Sequence, residues 1–353
     1  MFMANSLSPY EFLKASEKYP VVDVRTPSEH AKGHIPGAVN LPLFSDEERA
    51  VVGTIYKKQG RNHAILKGLE FVGPVMSQMA KKALELAVEG KLLVHCWRGG
   101  MRSASMAWLF ETVGIDTYLL EGGYKAYRAS FREMLKQGKW NFIVLGGPTG
   151  SGKTDVLKAL ADQGEQVLDL EGLANHKGSA FGALGQKKQP TSEQFENDIH
   201  DVLRHFDPER FIWVEGESHN IGRVFIPDML FGILMDSPLV MFELEREKRL
   251  DRLVKEYGCF GKELLAQSVK KIEKRLGGLR TKEALEALDC GNYRKVADIT
   301  LQYYDKGYTN SLAKRKKPFL VIKENEDKPD ASAVKIKSKL SYAYNRYQRE
   351  TLS

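Results

Sequence analysis

Phe142-Ile143-Val144-Leu145-Gly146-Gly147-Pro148-Thr149-Gly150-Ser151-Gly152-Lys153-Thr154 decides the fold of the second half of this chain. A short apolar strand leads into G-x4-G-K-T, and helical spacing follows from about Asp155 to Ala161. Strand, glycine-rich turn and helix in that order are the context a phosphate-cradling loop requires. Gly147, Gly150, Ser151 and Gly152 bring backbone N–H groups around an oxyanion at a helix N-terminus. Lys153 supplies a mobile charge, and Thr154 is the position at which Mg²⁺ would be held, although no metal ligand set is assigned. The motif does not choose its ligand: ATP, GTP and prenyl diphosphates all present a diphosphate.

Downstream, residues 167–170, 211–214 and 239–242 read as further strands. Acids stand near the first two: Asp169 and Glu171, then Glu215 and Glu217. At the carboxyl ends of parallel strands they are expected to face the phosphate site and to hold Mg²⁺ through water. Residues 243–257 form a strongly charged helix. Its charges read first as a solvated face with i,i+4 pairs, and second as Arg246 and Arg249 closing over phosphates. From about residue 264 to 347 the pattern is mainly helical, with the basic cluster Lys314-Arg315-Lys316-Lys317.

Upstream, Leu92-Leu93-Val94 is a buried strand, followed at once by His95-Cys96-Trp97-Arg98-Gly99-Gly100-Met101-Arg102-Ser103. Residues 19–25 read as a strand, 33–41 as a turn with a short strand, 84–88 as the end of a helix, and 103–113 as a helix. A thiol between strand and helix meets the helix N-terminus and backbone amides, which favour the thiolate. Arg98 and Arg102 add positive charge, and Gly99 and Gly100 let the loop curl. Trp97, Arg98, Gly99, Gly100, Met101 and Arg102 are thus the candidate cradle for an anionic donor, with Cys96 the candidate nucleophile. The fold class is α/β throughout: a parallel-sheet domain at 1–137, a phosphate-loop domain at 138–262, and a mainly helical basic region at 263–353. Lys136-Gln137-Gly138-Lys139 is the joint.

The 353 residues suffice for two or three domains, and the charged fraction of 28% is that of a globular protein. A net charge of +7 suits a polyanionic partner. Three cysteines, Cys96, Cys259 and Cys290, lack paired spacing, so neither a zinc frame nor a disulfide framework is expected. The expected compartment is the reducing cytoplasm. No apolar run approaches bilayer length and no signal peptide is read, so no membrane partner is expected.

Val22-Asp23-Val24-Arg25-Thr26-Pro27-Ser28-Glu29-His30, then Gly33-His34-Ile35-Pro36-Gly37-Ala38-Val39-Asn40, resembles the opening of a rhodanese domain. Cys96 and Arg102 fit the rhodanese Cys-x5-Arg loop. The resemblance implies that Cys96 carries a persulfide or selenium adduct, or attacks an electrophilic centre, and that Asp23 and Arg25 organise the domain. Joined to the phosphate loop, the chain resembles the tRNA 2-selenouridine synthase family. The segments from Asp169 to Gly182 and from Glu215 to Gly222 carry that likeness, with Lys177 standing where arginine is usual. The resemblance implies a transferase acting on tRNA with 2-thiouridine at the wobble position. A geranyl group from geranyl diphosphate is placed on the sulfur, and selenium from selenophosphate then replaces it. It implies no tightly bound cofactor, and an enzyme that makes selenophosphate as a candidate partner. Within that scheme the phosphate loop takes the prenyl diphosphate, Cys96 accepts selenium or attacks the activated base, Trp97 stacks on the base, lines a prenyl pocket or packs the loop, and the basic cluster meets the tRNA backbone. Two other functions fit the same loops. One is a sulfurtransferase coupled to an ATPase or kinase. The other is a nucleotide-controlled binding module with the first domain as scaffold.

Overall fold

The structure, a computed structural model, describes residues 5–312 and 318–352. The basic cluster at 314–317 lies outside the described residues. The chain divides into two compact units, Met1–Gln137 and Gly138–Ser353.

The first unit has strands β1 (Asn5–Leu7), β2 (Val21–Asp23), β3 (Val39–Asn40), β4 (Lys91–His95) and β5 (Asp116–Leu120). Its helices are α1 (Pro9–Ala15), α2 (Pro27–Lys32), α3 (Asp46–Gln59), α4 (Arg61–Val72), α5 (Met76–Leu86), α6 (Met101–Thr112) and α7 (Gly123–Gln137). The strands pair in parallel in the order β1-β5-β4-β2-β3, so β4 is the middle strand. Side chains on β4 alternate between two cores. Leu92 and Val94 join Val22, Met106 and Phe110 on one face, while Leu93 joins Phe12, Tyr124 and Tyr127 on the other. Helix starts are written in the sequence: Thr26 with Glu29, and Ser45 with Glu48, form reciprocal capping boxes. The carboxyl end of β4 delivers Cys96 to the N-terminus of α6.

The second unit has β6 (Phe142–Gly146), β7 (Gln166–Leu168), β8 (Ile212–Glu215), β9 (Asn220–Ile221), β10 (Val224–Phe225), β11 (Leu239–Leu244) and β12 (Leu320–Glu324). Its helices are α8 (Lys153–Asp162), α9 (Leu170–Ala174), α10 (Ser192–Leu203), α11 (Asp228–Asp236), α12 (Arg246–Tyr257), α13 (Lys262–Lys271), α14 (Glu273–Leu276), α15 (Gly278–Asp289), α16 (Tyr293–Leu312) and α17 (Pro329–Leu352). Five strands pair in parallel in the order β12-β11-β6-β8-β7, again with the loop-bearing strand, β6, in the middle. β9 and β10 form a separate antiparallel pair.

Three boundaries differ from the sequence expectation. β7 stops at Leu168, because Asp169 accepts a hydrogen bond from the Gly172 amide at 2.8 Å and starts α9. α12 begins at Arg246 rather than at 243, because Glu243 and Leu244 pair with Lys323 and Glu324 of β12. The region from 263 onward does not stand apart. It supplies β12, and Ala333, Ile336 and Leu340 of α17 pack with Val156, Leu157 and Leu160 of α8 around that sheet. Among the described residues, no helix is long and apolar enough to cross a membrane.

Candidate functional site

Two sites are built, one at the end of each middle strand. In the first, Cys96 is 3% exposed and packs beside Val94 and Met106. Its sulfur nevertheless meets the loop. The Gly100 amide donates to Sγ at 3.4 Å, and Ser103 Oγ lies 3.2 Å away. Burial pushes the thiol up. Ser103 and the amides of Arg98, Ser103 and Gly100 outweigh burial and hold the thiol below its ordinary value. Cys259 and Cys290 are exposed and free.

The cradle residues divide. Arg98, Gly99, Gly100 and Met101 are exposed. Arg102 is instead tied to Glu29, with Nη1 to Oε2 at 2.6 Å and Nη2 to Oε1 at 3.3 Å. Burial raises the Glu29 carboxyl, but Arg102 outweighs it and keeps the acid ionised. Trp97 is half-buried, with its ring centroid 5.7 Å from that of Tyr124, which is a packing role. Asp23 and Arg25 form a fully buried pair, Nη2 to Oδ2 at 2.6 Å, and Arg25 also donates to the Gly33 carbonyl at 2.7 Å. They hold the domain together and are out of reach of a ligand. His95 is buried beside Asp23 and its pKa is lowered to about 4, chiefly by burial, so it is neutral.

The loop rests on a turn that the sequence reading passed over. The amides of Tyr124 and Lys125 donate to the carbonyls of Cys96 and Trp97 at 2.9 and 3.0 Å. A Cβ on Gly123 would lie 2.4 Å from the Gly99 nitrogen and 2.5 Å from the Cys96 oxygen, so only glycine permits this approach. The signal was present as Glu121-Gly122-Gly123 directly after a strand.

In the second site, Lys153 reaches Glu215 at 3.2 Å. Thr154 Oγ1 donates to Glu215 Oε2 at 3.0 Å and lies 3.4 Å from Glu171 Oε2. Glu171, Glu215 and Glu217 bring one carboxylate oxygen each within 4.8 Å of one another. Asp169 does not join them. It is exposed and spends its carboxylate on the α9 cap. Burial, then repulsion from the neighbouring glutamates, raises Glu171 and Glu217. Burial opposes the charge on Lys153, but Glu215, Glu217 and Glu171 outweigh it and raise its pKa. One ammonium thus faces three carboxyl groups, a donor set of hard oxygens suited to a divalent cation. The Ser151 hydroxyl is 1% exposed with no hydrogen-bond partner in the loop, as suits a group that would meet a phosphate oxygen.

Two segments add to this site beyond the motif. Gly178, at φ +61°, lies so close that a Cβ would be 2.6 Å from Glu217 Oε2. The cations of α12 are spent between elements rather than on i,i+4 pairs or phosphates. Arg246 pairs with Asp298, Arg249 with Asp305 and the Thr149 carbonyl, and Arg252 with Asp155 and Asp327. Lys177 pairs with Glu256.

Comparison with known proteins adds two kinds of match. The family model described as "tRNA 2-selenouridine synthase AAA domain" matches residues 140–336, and that of the rhodanese-like domain matches residues 8–130. A tRNA 2-selenouridine synthase of Sulfurovum sp. (strain NBC37-1) is 38% identical over 309 residues, covering 81% of this chain and 83% of that protein. One from Bdellovibrio bacteriovorus is 35% identical over 346 residues, 85% of this chain and 90% of that protein. One from Shewanella denitrificans is 33% identical over 338 residues, 85% of this chain and 90% of that protein.

Proposed function

The chain belongs to the tRNA 2-selenouridine synthase family, and we propose that it replaces the sulfur of 2-thiouridine at the tRNA wobble position by selenium, in two steps that use its two loops separately. It is a tRNA-modifying enzyme. The observation that supports the two-step reading is the presence, on one chain, of a thiol held toward its anion by backbone amides and of a phosphate loop embedded in carboxylates.

In the first step the phosphate loop takes the diphosphate of geranyl diphosphate. The base sulfur attacks the terminal carbon of the geranyl group, the carbon–oxygen bond breaks, and pyrophosphate leaves as the base gives up one proton. The Ser151 hydroxyl, the loop amides and Lys153 meet the charge that develops on the departing oxygens. Thr154, Glu171 and Glu215 would hold Mg²⁺, which supplies the positive charge that these glutamates otherwise withhold from a bound diphosphate.

Alkylation turns the base sulfur into a good leaving group. In the second step the Cys96 thiolate attacks the carbon that bears it, and geranyl thiolate departs and takes a proton. Selenium of selenophosphate then displaces Cys96 at that carbon, and water cleaves the selenium–phosphorus bond to release phosphate. Arg98, exposed at the loop, is placed to attract the anionic donor. An enzyme that makes selenophosphate is the partner this chemistry calls for.

Mass analysis of wobble nucleosides tests the proposal. Purified protein and thiolated tRNA are incubated with geranyl diphosphate, with selenophosphate, and with both. Geranylated nucleoside is expected from the first, and 2-selenouridine only when both are present. Selenouridine formed at full rate without geranyl diphosphate overturns the two-step scheme.

A further inference from the structure

An apolar cavity opens beside the phosphate loop within the second unit. It encloses roughly 500 Å³, open solvent at its mouth included. That is the size range of small-molecule sites, roughly 300–1,000 Å³. Its walls come from α12 (Leu253, Val254, Tyr257), from α16 (Val296, Ala297), and from Phe181 of the segment that also carries Gly178. Thr149 of the phosphate loop stands at its edge, and its carbonyl accepts from Arg249 Nε at 2.9 Å. Leu253 presses on the same loop: a Cβ on Gly150 would lie 3.1 Å from Leu253 Cγ. The cavity is therefore continuous with the place where a diphosphate would sit.

The polar atoms on its walls are already engaged. The Tyr304 hydroxyl accepts from the Ala180 amide at 3.0 Å, and the Tyr257 hydroxyl is bonded to Ser179. Thr300 donates back into its own helix, at 2.9 Å to the Val296 carbonyl. A purine base needs a few unspent donors and acceptors to fix it. A hydrocarbon chain needs none and gains by leaving water.

We propose that this cavity receives the hydrocarbon tail of the diphosphate bound at the phosphate loop, and that its walls set which isoprenoid chain is accepted. The inference rests on the geranyl-transfer reading above and adds the location and the selectivity of the chain site. The head is gripped by Lys153 and the loop amides, and the tail runs between α12 and α16.

The test compares inorganic pyrophosphate, dimethylallyl diphosphate and geranyl diphosphate by calorimetry in the presence of Mg²⁺, with geranyl transfer to thiolated tRNA measured alongside. On the wild-type protein, affinity is expected to rise about tenfold or more from dimethylallyl to geranyl diphosphate. Val254→Gln, which puts an amide into the half-buried wall, should lose about tenfold for geranyl diphosphate and leave pyrophosphate binding unchanged. Val254→Leu should restore the preference. A flat series on the wild-type protein overturns the cavity as a tail site whatever the variants do. Unchanged geranyl affinity in Val254→Gln, with transfer intact, also overturns it and leaves the geranyl-transfer reading standing. Tail-dependent binding without any transfer to tRNA sustains the cavity and overturns that reading instead.

Discussion

Cys96 and Gly147 each follow the carboxyl end of the middle strand of a five-stranded parallel sheet, and each leads into a helix, α6 or α8. Both sites use the same local device, amides at a helix N-terminus aimed at negative charge. They differ in where that charge comes from. In the first unit it is the protein's own sulfur, and the nearest acid, Glu29, is neutralised by Arg102. In the second unit the loop is prepared for a ligand's charge yet is crowded by Glu171, Glu215 and Glu217 around a single lysine. The first site stores an anion unaided, whereas the second accepts one only when further positive charge arrives with it. Loop geometry alone does not tell these two cases apart; the side chains on the flanking strands do.

The largest effect expected from this contrast is at the sulfur. Cys96→Ser should cut 2-selenouridine formation about 10³-fold or more while geranylation proceeds. Selenation at the normal rate by that variant would remove the thiolate from the mechanism, and loss of both products would break the separation of the two loops. Next comes Lys153→Ala. It should lower geranyl transfer roughly 10²–10³-fold, because the diphosphate loses its main fixed counter-charge. Selenation of tRNA that has been geranylated beforehand should persist in this variant. Unchanged geranyl transfer would take the phosphate loop out of the reaction.

Much of this was legible in the sequence, for reasons that are local. A glycine-rich turn between an apolar strand and a helix can be read from spacing, so Cys96 and the loop from Gly147 to Thr154 were found without coordinates. Glu171, Glu215 and Glu217 were legible as acids near strand ends. Asp169 was grouped with them, but which acids converge depends on where β7 stops, and that is set by a cap bond between Asp169 and Gly172. Arg102 was read as part of the cradle, and its partner Glu29 is 73 residues away, a pairing that no spacing rule reveals. β12 was missed because Leu320, Val321 and Ile322 form a strand only by pairing with β11, about 80 residues upstream. The helical pair α3 and α4 was left unread, since their apolar residues cover the outside of a core built elsewhere.

A third and smaller effect follows from protons. Glu171 and Glu217 keep their protons in the folded protein at pH values where the unfolded chain, with an ordinary glutamate value of 4.5, has released them. The folded state is therefore progressively less favoured as pH climbs from that value toward their raised pKa values. Cys96 has the opposite sense. Its lowered pKa favours the folded state increasingly as pH rises through it toward the ordinary thiol value of 9.0. Without Mg²⁺, the second unit should melt about 4 °C or more lower at about pH 8 than at about pH 6, and Mg²⁺ should remove the difference. The double variant Glu171→Gln, Glu217→Gln should flatten the dependence and bind Mg²⁺ more weakly. If the metal-free protein melts at the same temperature at both pH values, the carboxyl cluster is not under the strain of like charge.

The smallest effect separates Asp169 from the acids it was grouped with. Asp169→Ala removes the acceptor for the Gly172 amide and should cost about 0.5–1 kcal/mol of stability, the usual worth of such a cap at an exposed helix start. Its carboxylate is turned to solvent and to the cap, so geranyl transfer at saturating Mg²⁺ should stay within about twofold of wild type. Asp169→Asn keeps the acceptor and should keep the stability as well. Urea unfolding and transfer rates measured together decide the matter. A large fall in transfer for both variants, with stability intact in the asparagine form, would put Asp169 among the groups that hold the cation and would make the acid cluster four residues rather than three.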